Sequence, residues 1–549
     1  MRLAVFTADP QLEQSPWWPI VMQTPGLTGV IVCRQVVSRR PRDMLRRLRR
    51  NIAKHGLIFV PYRIVAFAWS LVRRAGSRSH LGHDGGPGLP PETLEALDLH
   101  AAAALERVRQ WQPDLGLSIG APVLRPALFE IPKLGTLNLH LGRVPDYRGA
   151  PPGFWELYTG AHRIGATVHW IDRGLDTGAV VRAGEALIYE DDTLARVEAR
   201  ACELGRHVLR DALRQVATGA SGATPQPVGG HTFRFPTLRQ RARLAGRLAL
   251  RRWARRLGNL RGVVKTVAIL AWLFLYRPAR DLVRTLRRRH PIRVFTFHRV
   301  TELCRDGMTV APDVFRRQVA YVFKYHEIVS LDRALEALRA GARLRRPLAV
   351  LAFDDGYRSV WDAARPVLAA YGVPASCFVC SGLVGSEQRL PHDEENVVRP
   401  YLDLMGWDEL RALHDAGWTV GAHTISHVRL VACLGETLRR EIVEPAATIG
   451  SRLACRVTAI AYPFGGRNDI STEARIVIRE CGYEACLSNF GGENHAPANL
   501  SDVRRIDIGG DHDTLAWKAW THGWDHHRWS GWWARAFAQG TASNPPEPA

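Results

Sequence analysis

Apolar runs of strand length alternate with helical patterns along most of the chain. Clear examples are Thr136–His140, Ala166–Ile171, Pro347–Phe353 and Trp418–Ala422. Beyond Pro291 the alternation continues to about Trp533. Short apolar strands separated by helices of period 3.6 are typical of α/β domains with parallel sheets. The pattern therefore predicts an α/β protein.

Turn-rich and basic segments divide this pattern into parts. Gly219–Gly230 is rich in glycine and proline, and a strongly basic segment begins shortly after it. A length of 549 residues allows two to four domains. We expect a first domain at 1–236, a basic amphipathic helical linker at 237–290, a second domain at 291–540 and a disordered tail at 541–549.

Positive charge is concentrated in two segments. The chain has 74 Lys and Arg against 53 Asp and Glu, a net charge of +21. Residues 237–290 carry +15 and a basic insert at 34–78 carries +12, which leaves −6 for the rest of the chain. A basic total is typical of proteins that bind nucleic acid or anionic membranes. Here the excess positive charge lies in these two segments, and the remainder of the chain is slightly acidic.

Each basic segment has an apolar centre, Leu57–Trp69 in the first and Val267–Tyr276 in the second. As helices, these centres are too short to cross about 30 Å of hydrocarbon. They fit the headgroup region of an anionic membrane, with Arg277, Arg280 and Arg284 on lipid phosphates. The alternative is a buried interdomain helix whose arginines snorkel. Nucleic acid is not expected, because neither segment contains a recognisable reading module.

The cysteines and the N-terminus indicate a reducing compartment. Nine cysteines are an odd number and are too scattered for a disulfide framework. Cys377 and Cys380 have CxxC spacing, but within a strand these positions face opposite sides, so no metal or redox role is expected. No signal peptide and no uninterrupted apolar run of about 18 residues is evident. We expect a cytoplasmic protein.

An amide, an imidazole and a carboxylate form the first candidate site. Asn138 and His140 lie two residues apart in a predicted strand and therefore on the same side of it. Asp176 follows a second strand on a tight turn. An amide can stabilise a tetrahedral oxyanion, an imidazole can take the proton of an attacking amine, and a carboxylate can orient that imidazole. The set suits acyl transfer to an amine.

This region resembles the folate-dependent formyltransferases over about residues 100–185. The matching motifs are Asn138-Leu-His140, Pro145-Asp-Tyr-Arg-Gly149 and Leu175-Asp-Thr-Gly178. The resemblance implies a Rossmann-like fold, a catalytic trio of Asn138, His140 and Asp176, and 10-formyltetrahydrofolate as formyl donor. It also implies that the backbone of Gly120, Ala121, Pro122 and Val123 receives the pterin. Leu141-Gly142 and the insert at 34–78 depart from the family pattern.

Two carboxylates and two imidazoles form the second candidate site. Asp354 and Asp355 end a buried strand, and His423 and His427 follow another. Adjacent carboxylates at a strand end are costly to desolvate unless a cation or a reaction requires them. One carboxylate and two imidazoles suit a zinc-class ion with open positions, and the remaining aspartate can act as general base.

The second half resembles the polysaccharide deacetylase (NodB-like) family over residues 291 to about 510. The motifs are Phe353-Asp-Asp-Gly356, His423-Thr-Ile-Ser-His427 and Tyr462-Pro-Phe-Gly465, the last without the arginine of many members. The resemblance implies a distorted (β/α) barrel. It assigns Asp354 as the base and Asp355, His423 and His427 as ligands of a divalent metal, with zinc favoured.

Further roles follow from the same resemblance. Phe297-His298-Arg299-Val300 matches an early segment of a branch acting on poly-N-acetylglucosamine-like substrates, which makes His298 the general-acid candidate. Arg505 is the candidate to orient a catalytic aspartate. His522, His526 and His527 lie among tryptophans, and we expect a packed or surface segment there and not a second metal site.

A deacetylase exposes an amine, and a formyltransferase acylates one. Together they predict a bifunctional enzyme that exchanges an acetamido for a formamido group, or that formylates and then deformylates, in envelope or exopolysaccharide biosynthesis. The expected substrate is an amino sugar, linked to a nucleotide or to polyprenyl phosphate. The basic segments predict a peripheral position on the inner face of the cell membrane. The sugar, the reaction order, the metal and the oligomeric state remain open.

Two other functions stay open. One is a methionyl-tRNA-type formyltransferase with an accessory deacetylase domain, whose basic charge would serve tRNA. The other is a non-catalytic carbohydrate-binding role for one half. The complete residue sets at both candidate sites favour catalysis in both halves.

Overall fold

A computed structural model describes residues 1–9, 17–33, 92–220, 222–257, 260–510 and 514–524. The predicted insert at 34–78, the predicted tail at 541–549, and His526 and His527 lie outside these described residues. The chain divides into two compact units, Met1–Gly258 and Asn259–Ala549.

The first unit contains a seven-stranded sheet and a separate two-stranded pair. Its strands are β1 Leu3–Thr7, β2 Leu27–Cys33, β3 Thr93–Ala96, β4 Leu115–Ile119, β5 Thr136–His140, β6 Arg148–Gly149, β7 Arg163–Trp170, β8 Val180–Leu187 and β9 Thr232–Phe233. The large sheet has the order β3-β2-β1-β4-β5-β7-β8. It is parallel from β3 to β5, and β7 and β8 are antiparallel additions. This confirms the predicted Rossmann-like fold.

Helices cover the sheet of the first unit and bury its apolar strands. They are α1 Trp18–Gln23, α2 Ala102–Trp111, α3 Pro126–Phe129, α4 Phe154–Thr159, α5 Leu194–Ala217 and α6 Leu238–Leu257. The basic helix α6 packs within this unit: Leu244 is buried and Arg247 donates to the carbonyl oxygens of Leu157 and Tyr158 at 2.7 and 3.0 Å. The predicted linker thus begins as a helix of the first unit.

The second unit contains a closed barrel of parallel strands. Its strands are β10 Ile292–Phe297, β11 Arg299–Val300, β12 Thr309–Val310, β13 Glu327–Ile328, β14 Leu348–Phe353, β15 Ser376–Val379, β16 Thr419–Ala422, β17 Ala459–Ala461, β18 Ala485–Ser488 and β19 Val503–Asp507. Seven strands follow the order β10-β19-β18-β17-β16-β15-β14, and β14 pairs with β10 to close the ring. The NodB-like barrel fold is confirmed.

Helices surround the barrel. They are α7 Leu260–Ala271, α8 Arg277–Leu286, α9 Pro312–Tyr325, α10 Leu331–Arg339, α11 Arg365–Ala370, α12 Trp407–Asp415, α13 Gly435–Leu453, α14 Thr472–Glu480 and α15 Thr514–Thr521. All six residues of β10 and of β14 are buried, because a parallel strand between helices and a barrel interior has no solvent face. The carboxyl ends of these strands carry the candidate metal site.

Helices α7 and α8, joined by the π-helical turn Trp272–Tyr276, form an arm on the second unit. Ile269 and Leu273 of the arm are buried against Trp520 and Trp524. None of the helices among the described residues combines the length and hydropathy that crossing a membrane requires.

The arginines of the arm point towards the barrel. Arg280 donates to the carbonyl oxygen of His522 at 2.7 Å, and Arg284 pairs with Glu493 at 2.6 Å. Arg277 lies over the ring of Tyr325, 5.1 Å from its centroid. These three side chains therefore bind groups of their own unit, where the sequence led us to expect lipid phosphates.

Candidate active sites

The first candidate site lies at the junction of β5 and β7. The antiparallel register pairs Asn138 with His169, and the turn after β7 brings Asp176 beside both. The Asn138 amide donates to Asp176 Oδ1 at 3.2 Å, and His140 Nδ1 lies 3.5 Å from Asp176 Oδ2. His169 Nε2 lies 3.5 Å from Asp176 Oδ1. The structure brings the predicted trio together and adds His169, which the antiparallel register places directly opposite Asn138 and so on the same face of the sheet.

His140 and Asp176 differ in protonation. His140 Nε2 lies 2.6 Å from the carbonyl oxygen of Tyr147, which can only accept, so Nε2 carries a proton. Burial lowers the pKa of His140 despite the nearby charge of Asp176, which leaves the ring neutral with Nδ1 free to take a proton. Burial opposes ionisation of Asp176, but the hydrogen bonds from His169 and from the Gly149 amide outweigh it and hold the pKa of the carboxyl below its usual range.

The Asp176 turn is held by backbone and side-chain hydrogen bonds. The Gly149 amide donates to Asp176 Oδ2 at 2.9 Å. The Gln226 amide donates to the carbonyl oxygens of Asp176 and Gly178 at 2.9 and 2.8 Å, and Arg148 donates twice to Gln226 Oε1 at 2.7 and 3.1 Å. Sequence reasoning missed Gln226, whose only signal is its place between two prolines in the turn-rich segment.

A cavity of about 660 Å³ opens in front of this trio. Its lining includes Gly120, Ala121, Asn138, His140, Gly149, Asp176 and Phe233. Gly120 has a φ of 60° and open space where a Cβ would stand, so backbone faces the cavity there. Of the four residues predicted to receive a pterin, Gly120 and Ala121 line the cavity, whereas Val123 is 74% exposed and neither it nor Pro122 lines it. The cavity size suits a small-molecule ligand.

The second candidate site lies at the carboxyl ends of β14 and β16. His423 Nε2 and His427 Nε2 lie 3.3 and 3.2 Å from Asp355 Oδ1, and all three side chains are buried. Among the described residues this is the one cluster of three side chains that fits a metal ion.

The hydrogen bonds around this cluster fit a cation. His423 Nδ1 donates to the carbonyl oxygen of Ala461 at 2.6 Å, so the lone pair of Nε2 faces Asp355. Both Asp355 oxygens are buried and accept no hydrogen bond from a described residue. A buried carboxylate and an imidazole lone pair that face each other need a positive charge between them. The one-oxygen, two-nitrogen donor set suits a zinc-class ion with open positions.

Asp354 and His298 flank this cluster. Arg505 donates to Asp354 Oδ1 at 2.7 Å, and both side chains are buried. Burial opposes ionisation of Asp354, but the charge of Arg505 outweighs it and holds the pKa of the carboxyl below its usual range. His298 is buried, and its Nδ1 lies 3.7 Å from Asp507 Oδ1. The Asp354 amide donates to the carbonyl oxygen of Phe297 at 2.9 Å and so brings His298 beside Asp354. The five residues predicted for this site lie together, and Arg505 contacts the aspartate predicted to be the base.

Glu441 of α13 holds the loop that carries the two histidines. Its carboxylate accepts from the backbone amides of Ile425 and Ser426 at 2.8 and 3.2 Å and from the Ser426 hydroxyl at 2.8 Å. His392 is a further imidazole beside the cluster, with Nε2 3.8 Å from Asp355 Oδ2 and 2.8 Å from the hydroxyl of Tyr357. Sequence reasoning missed Glu441 and His392, because neither lies in a motif.

His522 is packed, which is one of the two alternatives expected for its segment. The hydroxyl of Tyr321 lies 3.0 Å from His522 Nε2, and the side chain is buried. The CxxC cysteines are also buried, and burial raises the pKa of both the Cys377 and Cys380 thiols. Neither feature forms a metal cluster among the described residues.

Family models match parts of both halves. Residues 75–213 match the formyl transferase family, and residues 341–486 match the polysaccharide deacetylase family. Among curated proteins, the methionyl-tRNA formyltransferase of Burkholderia multivorans is 35% identical over 135 residues, which is 24% of this chain and 41% of that protein. That of Kosmotoga olearia is 29% identical over 147 residues, 27% of this chain and 47% of that protein. The chain spans about half the length of these relatives or less.

Solved structures similar to the chain include IcaB and the formyltransferase PseJ. IcaB from Ammonifex degensii is 21% identical, with 42% of this chain and 97% of that chain covered and a TM-score of 0.37. The formyltransferase PseJ from Anoxybacillus kamchatkensis is 28% identical, with 28% and 77% covered and a TM-score of 0.24.

Proposed function

We propose that the protein exchanges an N-acetyl group for an N-formyl group on an amino sugar. The chain joins a formyltransferase half to a polysaccharide deacetylase half. The observation that carries the proposal is the presence in one chain of a residue set suited to releasing an amine and another suited to acylating one. In this exchange deacetylation precedes formylation, because formyl transfer needs the free amine that deacetylation releases.

In the deacetylase half, Asp355, His423 and His427 would hold a divalent cation, which supplies Lewis acidity when bound. Asp354, kept ionised by Arg505, accepts a proton from the attacking water. His298 donates a proton to the sugar nitrogen as the bond between that nitrogen and the acyl carbon breaks. The products are acetate and the free amine.

In the formyltransferase half, the freed amine attacks the formyl carbon of 10-formyltetrahydrofolate. Asn138 stabilises the negative charge on the formyl oxygen through its amide N–H. His140 Nδ1 takes the proton that the attacking nitrogen loses, and Asp176 stabilises the resulting imidazolium. The bond between the formyl carbon and N10 then breaks, and His140 passes the proton to the leaving N10. The products are the formamido sugar and tetrahydrofolate.

The substrate class follows from the pairing of the two reactions. We propose an amino sugar linked to a nucleotide or to polyprenyl phosphate, used in envelope or exopolysaccharide biosynthesis. Folate supply favours the cytoplasm, and the two basic segments favour a peripheral position on an anionic membrane.

The test is mass spectrometry of candidate N-acetylamino sugars incubated with zinc-loaded protein, with and without 10-formyltetrahydrofolate. The intact chain is expected to convert acetamido to formamido sugar. Asp176→Asn should stop at the free amine, and Asp354→Asn should leave the substrate unchanged. Asp408→Asn is the matched control, because this carboxylate is fully exposed in the same unit as Asp354. Formylation of the substrate without any loss of acetate would contradict the proposal.

The names of the curated relatives favour a second candidate, formylation of methionyl-tRNA. This function predicts formylation of charged initiator tRNA by the intact chain at a rate unaffected by Asp354→Asn. Formyl transfer to the amino sugar with no transfer to tRNA would exclude it.

A further inference from the structure

Six exposed arginines lie together at the amino-terminal end of the barrel strands. Arg287–Arg289 precede β10, and Arg343, Arg345 and Arg346 precede β14. The two segments meet where the His290 amide donates to the carbonyl oxygen of Leu344 at 3.3 Å. No ion pair joins any of the six to a described carboxylate. We call these six residues the arginine edge.

The surroundings of the arginine edge contain few compensating acids. The groove lined by the second arginine segment includes Glu327 and Glu336, and Glu327 is paired with Arg333 at 3.1 Å. The edge was not visible as a unit in the sequence, because about 55 residues separate its two segments and β10 and β14 bring them together.

An apolar stripe on the arm leads to this edge. Phe274, Leu275, Leu282 and Leu286 are 73, 75, 60 and 75% exposed, whereas Leu273 on the opposite side of the arm is buried. Leu286 is followed directly by Arg287–Arg289. The apolar stripe, defined by these four exposed residues, and the arginine edge thus adjoin at the end of α8.

We infer that the apolar stripe and the arginine edge together form the surface that docks the deacetylase unit on an anionic lipid membrane. The inference rests on the proposed membrane association and assigns it to a surface. Unpaired arginines fit lipid phosphates, and a neighbouring row of exposed aliphatic and aromatic side chains fits the acyl boundary below them. A nucleic acid would satisfy the arginines but leave the apolar stripe in water, so the lipid surface accounts for both features.

This docking orients the deacetylase site away from the membrane. The arginine edge precedes β14, and Asp354 and Asp355 follow its opposite end. Six residues of strand span roughly 20 Å. A sugar attached directly to a membrane-embedded polyprenyl phosphate stays at the headgroup level, on the wrong side of the barrel. The orientation therefore selects a water-soluble, nucleotide-linked amino sugar as the deacetylase substrate.

The test is co-sedimentation of the full chain with phosphatidylcholine vesicles, with or without 30% phosphatidylglycerol. Wild-type protein should bind the anionic vesicles and release in high salt. We expect more than about tenfold weaker binding for R343E/R345E/R346E and for L282D/L286D, because each removes one half of the surface. R411E/R439E/R440E is the matched control with three exposed arginines reversed elsewhere on the barrel unit, and it should bind like wild type.

Two further readouts make the result decisive. Amide hydrogen exchange should slow at 274–289 and 342–346 on adding anionic vesicles and stay unchanged at 423–427. All variants should retain deacetylation of a water-soluble substrate, because the surface lies away from the site. If the wild-type protein itself lacks this activity, that result counts against the proposed function and not against the docking surface. Equal vesicle binding by wild type and both surface variants, protection at 423–427, or retention of RNA in place of vesicles would overturn the inference.

Discussion

Left-handed backbone conformations occur at three of the predicted site residues and at two residues beside them. Asp176, Asp355, Thr424, His427 and Phe464 have φ values of 55, 71, 65, 60 and 65°. A non-glycine residue in this region costs about 1–2 kcal/mol and persists where its surroundings fix it. Here the conformation turns each side chain off the strand or loop direction and towards its partners, so the local geometry is set for the site at the expense of backbone stability.

Removing the guanidinium that contacts Asp354 should raise the pKa of this carboxyl. With Arg505→Gln, Asp354 loses the cation that offsets its burial, so it binds a proton at higher pH and can no longer accept one there. We expect the acid limb of the kcat/KM profile for deacetylation to move to higher pH and kcat to fall about 10²-fold or more. Steady-state rates between pH 5 and 9 measure both effects.

The neighbouring residue supplies the control for this substitution. Arg504 lies next to Arg505 on β19 but is exposed, so Arg504→Gln should leave the profile unchanged. Zinc affinity should survive in both variants, because neither arginine contacts a ligand side chain. An Arg505→Gln enzyme with a wild-type acid limb would contradict the role of the ion pair.

At the scale of elements, helix α13 positions the histidine loop through one side chain. Glu441→Ala removes the acceptor for the amides of Ile425 and Ser426 and frees the loop between the two histidines. We expect zinc affinity to fall about 10- to 100-fold, since partners that orient metal ligands typically contribute this much. Glu444→Ala, an exposed position on the same helix, is the matched control. Competition with a chromophoric chelator measures both affinities.

Two buried imidazoles, those of His326 and His522, lie at the amino-terminal end of the barrel and should make its stability depend on pH. Burial, together with the charge of Arg293, lowers the pKa of His326 to about 3, and burial with the charge of Arg277 lowers that of His522 to about 2. The unfolded chain therefore binds protons below pH 6.5 that the folded chain does not. The free energy of unfolding of this unit should fall as the pH drops from 6.5 to 4.5, by up to about 1.4 kcal/mol per pH unit for each histidine.

Urea unfolding at pH 7.5, 6.5, 5.5 and 4.5 measures this slope. The substitution His326→Leu should reduce the dependence of the unfolding free energy on pH by up to half, because it removes one of the two imidazole rings that bind a proton on unfolding. A barrel transition with the same free energy at pH 6.5 and pH 4.5 would contradict the burial of neutral imidazoles.

The sequence predicted those features that depend on local pattern. Buried strands ending in polar residues identified β5, β14 and β16 and the six side chains at these strands, with Asp176 added from a turn motif. Gln226, Glu441 and His392 were not predicted as site residues. Each comes from a distant segment and reaches its site through tertiary packing, which a local sequence pattern does not show. The arginines of α8 were misread for the same reason: only the packed arm shows that Arg280 and Arg284 face His522 and Glu493.

At the scale of the whole molecule, each compact unit has its own buried core and its own candidate site. The core of the first unit centres on residues such as Phe6, Ile31 and Trp111, and that of the second on Phe297 and Phe353. No side chain of the predicted metal cluster comes from the first unit. Metal binding should therefore be linked to the stability of one unit alone.

Differential scanning calorimetry of the full chain tests this linkage. We expect two transitions, of which one shifts upward on adding zinc and downward on adding a chelator, by about 5–10 °C at a 100-fold excess of zinc over its Kd. Asp355→Asn should abolish that shift and leave the other transition in place. Asp176→Asn should leave the zinc shift intact, because its carboxylate belongs to the other unit. Movement of both transitions with zinc would mean that the units do not unfold independently.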